Sequence, residues 1–276
     1  DTTARILYTK LGELWGKQFV IDNRGGAGGT IAEALAAKAD PDGYTILHDA
    51  TAYSVNPALY PKLSFDYGKD FQPVFLASLV PNLLVVTPSV SPKTVADVIA
   101  LAKSTPGGLD FASSGNGTLQ HLCLELLRFM AKVPINHIPY RGGGDALKDV
   151  VSGQVKYFFS NGSASIGLVQ GGQVRALAHT GKARFKDFPD VPTFNELGYD
   201  MTATTWFSIS GPGGLPKDIA EKMNTEINRA MQEPSVQERL TRDGMVTDPM
   251  PLAPKMPCGS GGVPDPNRAA RSSSAA

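Results

Sequence analysis

The sequence predicts an α/β fold in two lobes, and three observations carry that prediction. Short β-rich runs alternate with helical patterns, glycine- and hydroxyl-rich loops follow several of those runs, and proline or glycine punctuates two places where the chain could cross between lobes. The 276 residues are 42% hydrophobic and 19% charged, enough for one large or two small cores. Twenty-six basic and 26 acidic side chains cancel. No block of Lys and Arg supplies the electrostatic footprint of a nucleic-acid or anionic-membrane partner. No run reaches the roughly 18 apolar residues of a membrane span, so no direct membrane insertion is expected.

In chain order, Ala4, Leu7, Leu11, Leu14 and Trp15 recur at helical spacing. The β-rich runs are Phe19 to Asp22, Tyr44 to His48, Leu83 to Thr87, Asp110 to Ala112, Ile135 to Ile138, Val155 to Phe159 and Val174 to Ala178. Their alternation with helices predicts a largely parallel sheet. Ile31 to Lys38 and Leu119 to Ala131 read as helices. Thr94 and Asp97 form a capping-box-like start, followed by a buried stripe of Val95, Val98, Ile99 and Ala102, with Lys103 and Pro106 marking the end. Pro216 suits a first helical turn, and Ile219, Met223, Ile227 and Met231 recur every four residues until Pro234 stops them. The candidate crossings are the strand bracketed by Pro81, Pro88 and Pro92, and the run from Ala203 to Ser210 that ends at Gly211 to Gly214. Cys123 and Cys258 lie in no metal or redox spacing, and Cys123 reads as a buried free thiol. Residues 256–276 read as a disordered or foreign tail.

Four loops could carry chemistry. Asn23 to Thr30 places Gly25-Gly26-Ala27-Gly28-Gly29 between a predicted strand and a helix, where free backbone N–H groups and the positive helix end suit an anion. A dinucleotide fingerprint fails there because Ile31 holds the third glycine position, and no Gly-Lys pair is followed by Ser or Thr as a Walker loop requires. Ser113-Ser114-Gly115-Asn116-Gly117-Thr118 adds three hydroxyls and an amide to such donors. Arg141, after Tyr140 and before Gly142 to Gly144, could grip a carboxylate with two donors. Ser160 and Asn161 follow a hydrophobic strand. Each loop is also read simply as a tight turn or helix cap; together they fit ligand binding beyond strand C-termini. No reaction centre accompanies them: His48, His121, His137 and His179 are dispersed, and no nucleophile elbow exists. No metal or cofactor is expected.

The ordered motifs Asn23-Arg24-Gly25-Gly26-Ala27-Gly28-Gly29-Thr30, Pro41-Asp42-Gly43-Tyr44-Thr45-Ile46-Leu47, Ser113 to Thr118 with His121, Leu122 and Glu125, and His137-Ile138-Pro139-Tyr140-Arg141-Gly142 resemble the tripartite tricarboxylate transporter receptors, also called Bug solute receptors. Asp149 to Gln154, Val191 to Phe194, Glu196 to Tyr199, Trp206 and Pro212 extend the resemblance to about residue 254. It implies a type II-like periplasmic binding protein fold, with two crossing strands, a central cleft and lobe closure on a small carboxylate that is passed to membrane transporter subunits. Lobe one would comprise 1–88 plus 211–255, and lobe two 89–210. The first strand of lobe one is expected to be missing. The ligand loops are expected to contribute Gly26, Ala27, Gly28, Gly29, Ser113, Ser114, Gly115, Asn116, Thr118, Arg141, Ser160 and Asn161, with Thr51, Ala52 and Trp206 added by position in the family. A periplasmic monomer without enzymatic activity, binding a di- or aromatic carboxylate, is the resulting expectation. The alternatives are a serine hydrolase using Ser113 or Ser114, with His121 as the base of Ser113, and a truncated, non-functional fragment of a receptor.

Overall fold

The structure is a computed structural model that describes residues 1–185, 188–242 and 244–245. The expected tail and residues 246–255 of the expected lobe one lie outside the described residues. Helix α1 (Thr2–Trp15) buries Ala4, Leu7 and Leu11 as its spacing requires, and ends at Gly16, whose left-handed φ of 59° lets its N–H reach the Gly12 carbonyl. Then come α2 (Thr30–Ala37), β1 (Leu47–Ala50) and α3 (Ala52–Leu59).

Strand β2 (Phe71–Val86) runs for 16 residues, so the predicted strand at 83–87 is only its far end. Its first part, Phe71 to Pro81, pairs with β7 (Thr204–Pro212); its last part, Asn82 to Val86, pairs with β5 (Tyr157–Asn161) and β6 (Arg175–His179). Pro81, which has no N–H for a ladder, sits where the partners change. One strand therefore crosses from one lobe into the other. The second lobe also holds α4 (Val95–Ser104), β3 (Leu109–Ser113), α5 (Leu119–Ala131), β4 (Ile135–Pro139), α6 (Gly143–Ser152) and α7 (Gly162–Gln170). After β7 the chain ends its described part with α8 (Lys217–Gln232) and α9 (Pro234–Arg242). The capping box forms: the Asp97 N–H donates to Thr94 Oγ1 at 3.1 Å and the Thr94 N–H to Asp97 Oδ2 at 3.0 Å.

Three sequence expectations are corrected. The sheet order is β1-β7-β2-β5-β3-β4 with β6 also on β2, and only β3–β4 and β3–β5 are parallel. The sheet is mixed because β2 and β7 cross it antiparallel to their neighbours. Phe19 to Asp22 form no strand: Phe19 stacks on Tyr8, with ring centroids 5.3 Å apart, while Val20 is 88% exposed and no neighbouring strand offers a ladder. The Tyr44 run enters its strand late, at Leu47, since a turn in which the Tyr44 N–H donates to Asp42 Oδ1 occupies its start.

Each lobe has its own core. In the first, Val74, Phe75, Val80 and Ile209 face α1, α8 and α9, while Tyr53, Tyr67, Phe71 and Trp206 pack on the other side. In the second, Leu84 and Val86 join Phe111, Tyr157 and Phe159 on one face, and Leu83 and Val85 join Ala112 and Phe158 on the other. Burial on both faces is why this strand reads as an unbroken apolar run.

Candidate functional site

The first lobe meets the cleft with Gly25 to Gly29. Four successive residues, Gly26, Ala27, Gly28 and Gly29, have φ of 115, 47, 64 and 95°, a left-handed run that side chains resist. Space adds to the demand. A Cβ on Gly28 would stand 2.8 Å from Asn56 Oδ1 and 3.0 Å from the Asn116 carbonyl, and one on Gly25 would stand 2.5 Å from the Arg141 carbonyl. The loop thus rests directly on two loops of the second lobe. Beside it, Thr51 Oγ1 accepts the Trp206 backbone N–H at 3.1 Å. Ala52 is buried at the start of α3, and the buried Trp206 ring packs with Tyr53 beneath the loops.

Under the glycine loop lies a buried polar group of four side chains. Asn56 Nδ2 donates to the Gly28 carbonyl at 2.9 Å and to both Glu33 oxygens at 3.1 and 3.3 Å, and the Tyr67 hydroxyl donates to Glu33. Asp49, at the end of β1, completes it. Burial, and then the adjoining Glu33, push the Asp49 carboxyl well above the usual carboxylate range. Burial raises Glu33 too, but donors from Asp49, Tyr67 and Asn56 oppose that rise.

The second lobe answers with Ser113 to Thr118. Its hydroxyls brace the loop from within: Ser113 Oγ accepts the Gly115 N–H at 3.1 Å, Ser114 Oγ donates to Gln120 Oε1 at 2.9 Å, and Thr118 Oγ1 donates to the Gly115 carbonyl at 2.7 Å. Ser113 Oγ also lies 2.5 Å from His137 Nε2, and the His137 ring stacks on His121 at 4.0 Å. His121 Nδ1 accepts the Gly117 N–H. Burial, with His121 alongside, pushes His137 down to about 4, and burial lowers His121, so both rings are neutral at pH 7. His137, not His121, is thus the imidazole against Ser113, and Ser113 itself is wholly buried. Further along, Ser160 is buried, and Asn161 Oδ1 accepts from Thr205 Oγ1 at 2.7 Å. Arg141 is exposed, and its guanidinium has no carboxylate partner among the described residues.

A cavity of about 1770 Å³ opens mainly against the first lobe, walled by α1, residues 17–25 and 42–49 and α8, and reaches the second lobe at Arg141 to Gly144, Asn161, Ser163 and Ala164. Of the sequence-selected residues it is lined by Gly29, Arg141 and Asn161; Asp49, Gly142 to Gly144 and Ser163 join them. Gly26, Ala27, Gly28, Ser113, Ser114, Gly115, Asn116 and Thr118 do not line it, nor do Thr51, Ala52, Ser160 and Trp206; the two loops meet where Gly28 approaches the Asn116 carbonyl. Sequence reasoning missed Asp49, Asn56, Glu33 and Tyr67; Ser163 belongs to the Phe159 to Ser163 loop that the sequence already singles out. A lone acid in the apolar Ile31 to Ala37 pattern was the available signal for Glu33; nothing local marked Tyr67.

A family model described as tripartite tricarboxylate transporter family receptor matches residues 3–251. The chain belongs to this receptor family. A Pseudomonas sp. (strain P51) protein from the tcbD-tcbE intergenic region is 38% identical over 251 residues, covering 90% of this chain and 74% of its own. BugT of Bordetella pertussis is 35% identical over 247 residues, covering 88% and 76%. This receptor spans about three quarters of the length of these relatives. Among solved structures, a Rhodopseudomonas palustris protein with adipate is 34% identical with a TM-score of 0.85, covering 89% of this chain and 83% of its own. MatC of the same organism, with bound malate, is 32% identical with a TM-score of 0.83, covering 89% and 84%. The periplasmic binding protein BugD is 30% identical with a TM-score of 0.85, covering 89% and 82%. The expected two-lobed binding-protein fold is thus the fold of this solute receptor, and members of its family are periplasmic.

Proposed function

We propose that the receptor binds a small dicarboxylate in the interlobe cavity, in the periplasm and as a monomer, and delivers it to the membrane subunits of a tripartite tricarboxylate-type transporter. The observation that carries this reading is Arg141: an exposed cation with no carboxylate partner among the described residues, lining the part of the cavity where Gly142 to Gly144, Asn161 and Ser163 of the second lobe meet Gly25, Gly29 and Asp49 of the first. One carboxylate would meet Arg141 and the first turns after Gly142 and Asn161; the other would meet the Gly26 to Gly29 loop beside Asp49, whose carboxyl burial pushes upward. Malate and adipate in the two R. palustris neighbours support a dicarboxylate over an aromatic acid. The lobe division proposed is 1–88 plus 211–255 against 89–210, with β2 and β7 belonging to both as the crossing strands. Closure follows from a ligand that touches both lobes and so favours the closed state over the open one. Calorimetric titration against mono-, di- and tricarboxylates tests the reading; flat heats across the panel on folded protein would refute it.

The Ser113–His137 contact is the specific observation behind a second reading, an esterase. Burial of Ser113 opposes it, since no substrate carbonyl can reach its oxygen. Turnover of an activated ester that vanishes in Ser113→Ala would reinstate it; none is expected.

A further inference from the structure

The glycine loop has no side chain of its own with which to hold its shape. From Gly25 to Gly29 it carries neither hydroxyl, amide nor charge, yet four successive residues adopt left-handed φ. The clamp on it comes from α3: Asn56 Nδ2 donates to the Gly28 carbonyl across 28 positions of sequence. A carboxamide nitrogen has two hydrogens. Here one serves the loop and the other serves Glu33. Glu33 therefore fixes which way the amide faces, since a flipped Asn56 would set its oxygen against two acceptors. Both residues are fully buried, so water cannot replace either bond. Asn56 Oδ1 stands 2.8 Å from a Cβ at Gly28 and 3.7 Å from one at Gly117, so the same side chain underlies the contact between loops of opposite lobes.

We propose that Asn56, oriented by Glu33, is a positioning residue for ligand binding: it locks the Gly26 to Gly29 loop in the shape that meets Asn116 and Arg141, and so sets affinity without touching the ligand. This deepens the carboxylate-receptor reading and rests on it for the nature of the ligand. A loop released from the clamp must be re-ordered each time a ligand binds, and that cost appears as lost affinity.

The test uses the full chain with Asn56→Ser, whose hydroxyl is too short to reach Gly28, and Tyr67→Phe, which removes one donor from Glu33. Val98→Ala, in the far core of the second lobe, is the control for general destabilisation. Amide hydrogen exchange over residues 25–32 is read in ligand-free protein, and affinity by calorimetry with malate and adipate. Asn56→Ser is expected to speed exchange of that segment and weaken the acid that binds by about tenfold each, as loss of a hydrogen bond inside a charged network implies. Tyr67→Phe is expected to shift both about threefold in the same direction, and Val98→Ala neither. Exchange and affinity that track the melting temperature equally in all three variants would overturn the proposal. If Asn56→Ser does not fold, Tyr67→Phe against Val98→Ala decides. If the unaltered receptor binds neither acid, nor any other of the carboxylate panel, the carboxylate reading falls, while the exchange result still decides whether Asn56 holds the loop.

Discussion

The glycine loop of the first lobe and the Ser113 to Thr118 loop of the second occupy matching places, each between a chain segment that reaches the cleft and the first turn of a helix, but they are braced in opposite ways. The second carries its own braces, three hydroxyls each with a bond inside the eight residues 113 to 120, and Ser113 also meets His137 in a stack of neutral imidazoles behind. The first carries none and depends on Asn56, Glu33, Tyr67 and Asp49, drawn from α2, β1, α3 and the segment before β2. A self-braced loop tolerates distant change, whereas a loop braced through tertiary contacts transmits it. The titratable groups behind each loop differ as well: two carboxyls raised by burial behind one, two imidazoles lowered by burial behind the other.

The largest effect should come from Gly28→Val. Its φ of 64° and a Cβ 2.8 Å from Asn56 Oδ1 leave no room for a branched side chain. Strain of about 1–3 kcal/mol plus the clash predicts at least ~100-fold weaker dicarboxylate binding, checked by calorimetry. Retained affinity would break the idea that the loop is set by its surroundings.

Arg141→Gln comes next. Because Arg141 is exposed and has no carboxylate partner among the described residues, its loss should leave the melting temperature alone. Binding should weaken by about 10- to 100-fold, the worth of a charge-assisted contact of ~1.5–3 kcal/mol.

The braces should also respond oppositely to pH. Burial holds His137 and His179 down to about 4 and His48 to about 3, so all three stay neutral in the fold. The unfolded chain takes up these protons below about 6.5. Stability from them is therefore complete above that pH and is lost as pH falls from about 6.5 toward 4 and then 3. The Asp49–Glu33 pair works the other way. Its carboxyls are raised, so the fold holds a proton that the unfolded chain releases above about 4, and the contribution falls as pH rises. Melting temperatures between pH 4 and 9 should drop by several degrees at the acid end, and Asp49→Asn should flatten the alkaline side alone. An unchanged alkaline slope in that variant would remove Asp49 as the proton holder.

The smallest effect is expected from Ser114→Ala, which removes one hydrogen bond to Gln120. It should cost about 1 kcal/mol in thermal or denaturant unfolding and leave affinity within about threefold, because the loop keeps its other braces.

Much of this was legible in the chain. The helices announced themselves through apolar spacing and the Thr94–Asp97 capping box, and β3, β4, β5 and β6 through apolar runs bounded by turn residues. The glycine, serine and arginine loops were legible by composition. Phe19 to Asp22 was misread because a strand needs a partner as well as a pattern. The length of β2 was hidden because Pro73 and Pro81, ordinarily strand breakers, fall beside register shifts or partner changes in its ladder. The buried group under the glycine loop was illegible for a related reason: Glu33, Asp49, Asn56 and Tyr67 are spread over 35 positions of sequence, and no local pattern marks residues that meet only in the fold.

The sequence by itself determined most of the helices, the family and the glycine- and hydroxyl-rich composition of the loops, since periodicity, caps and glycine runs are properties of neighbouring residues. Tertiary structure decided the direction of the strands, the crossing of β2 between lobes, the partner of Ser113 and the clamp on Gly28. Those depend on which distant surfaces exclude water together, and burial then dictates which polar groups must find one another.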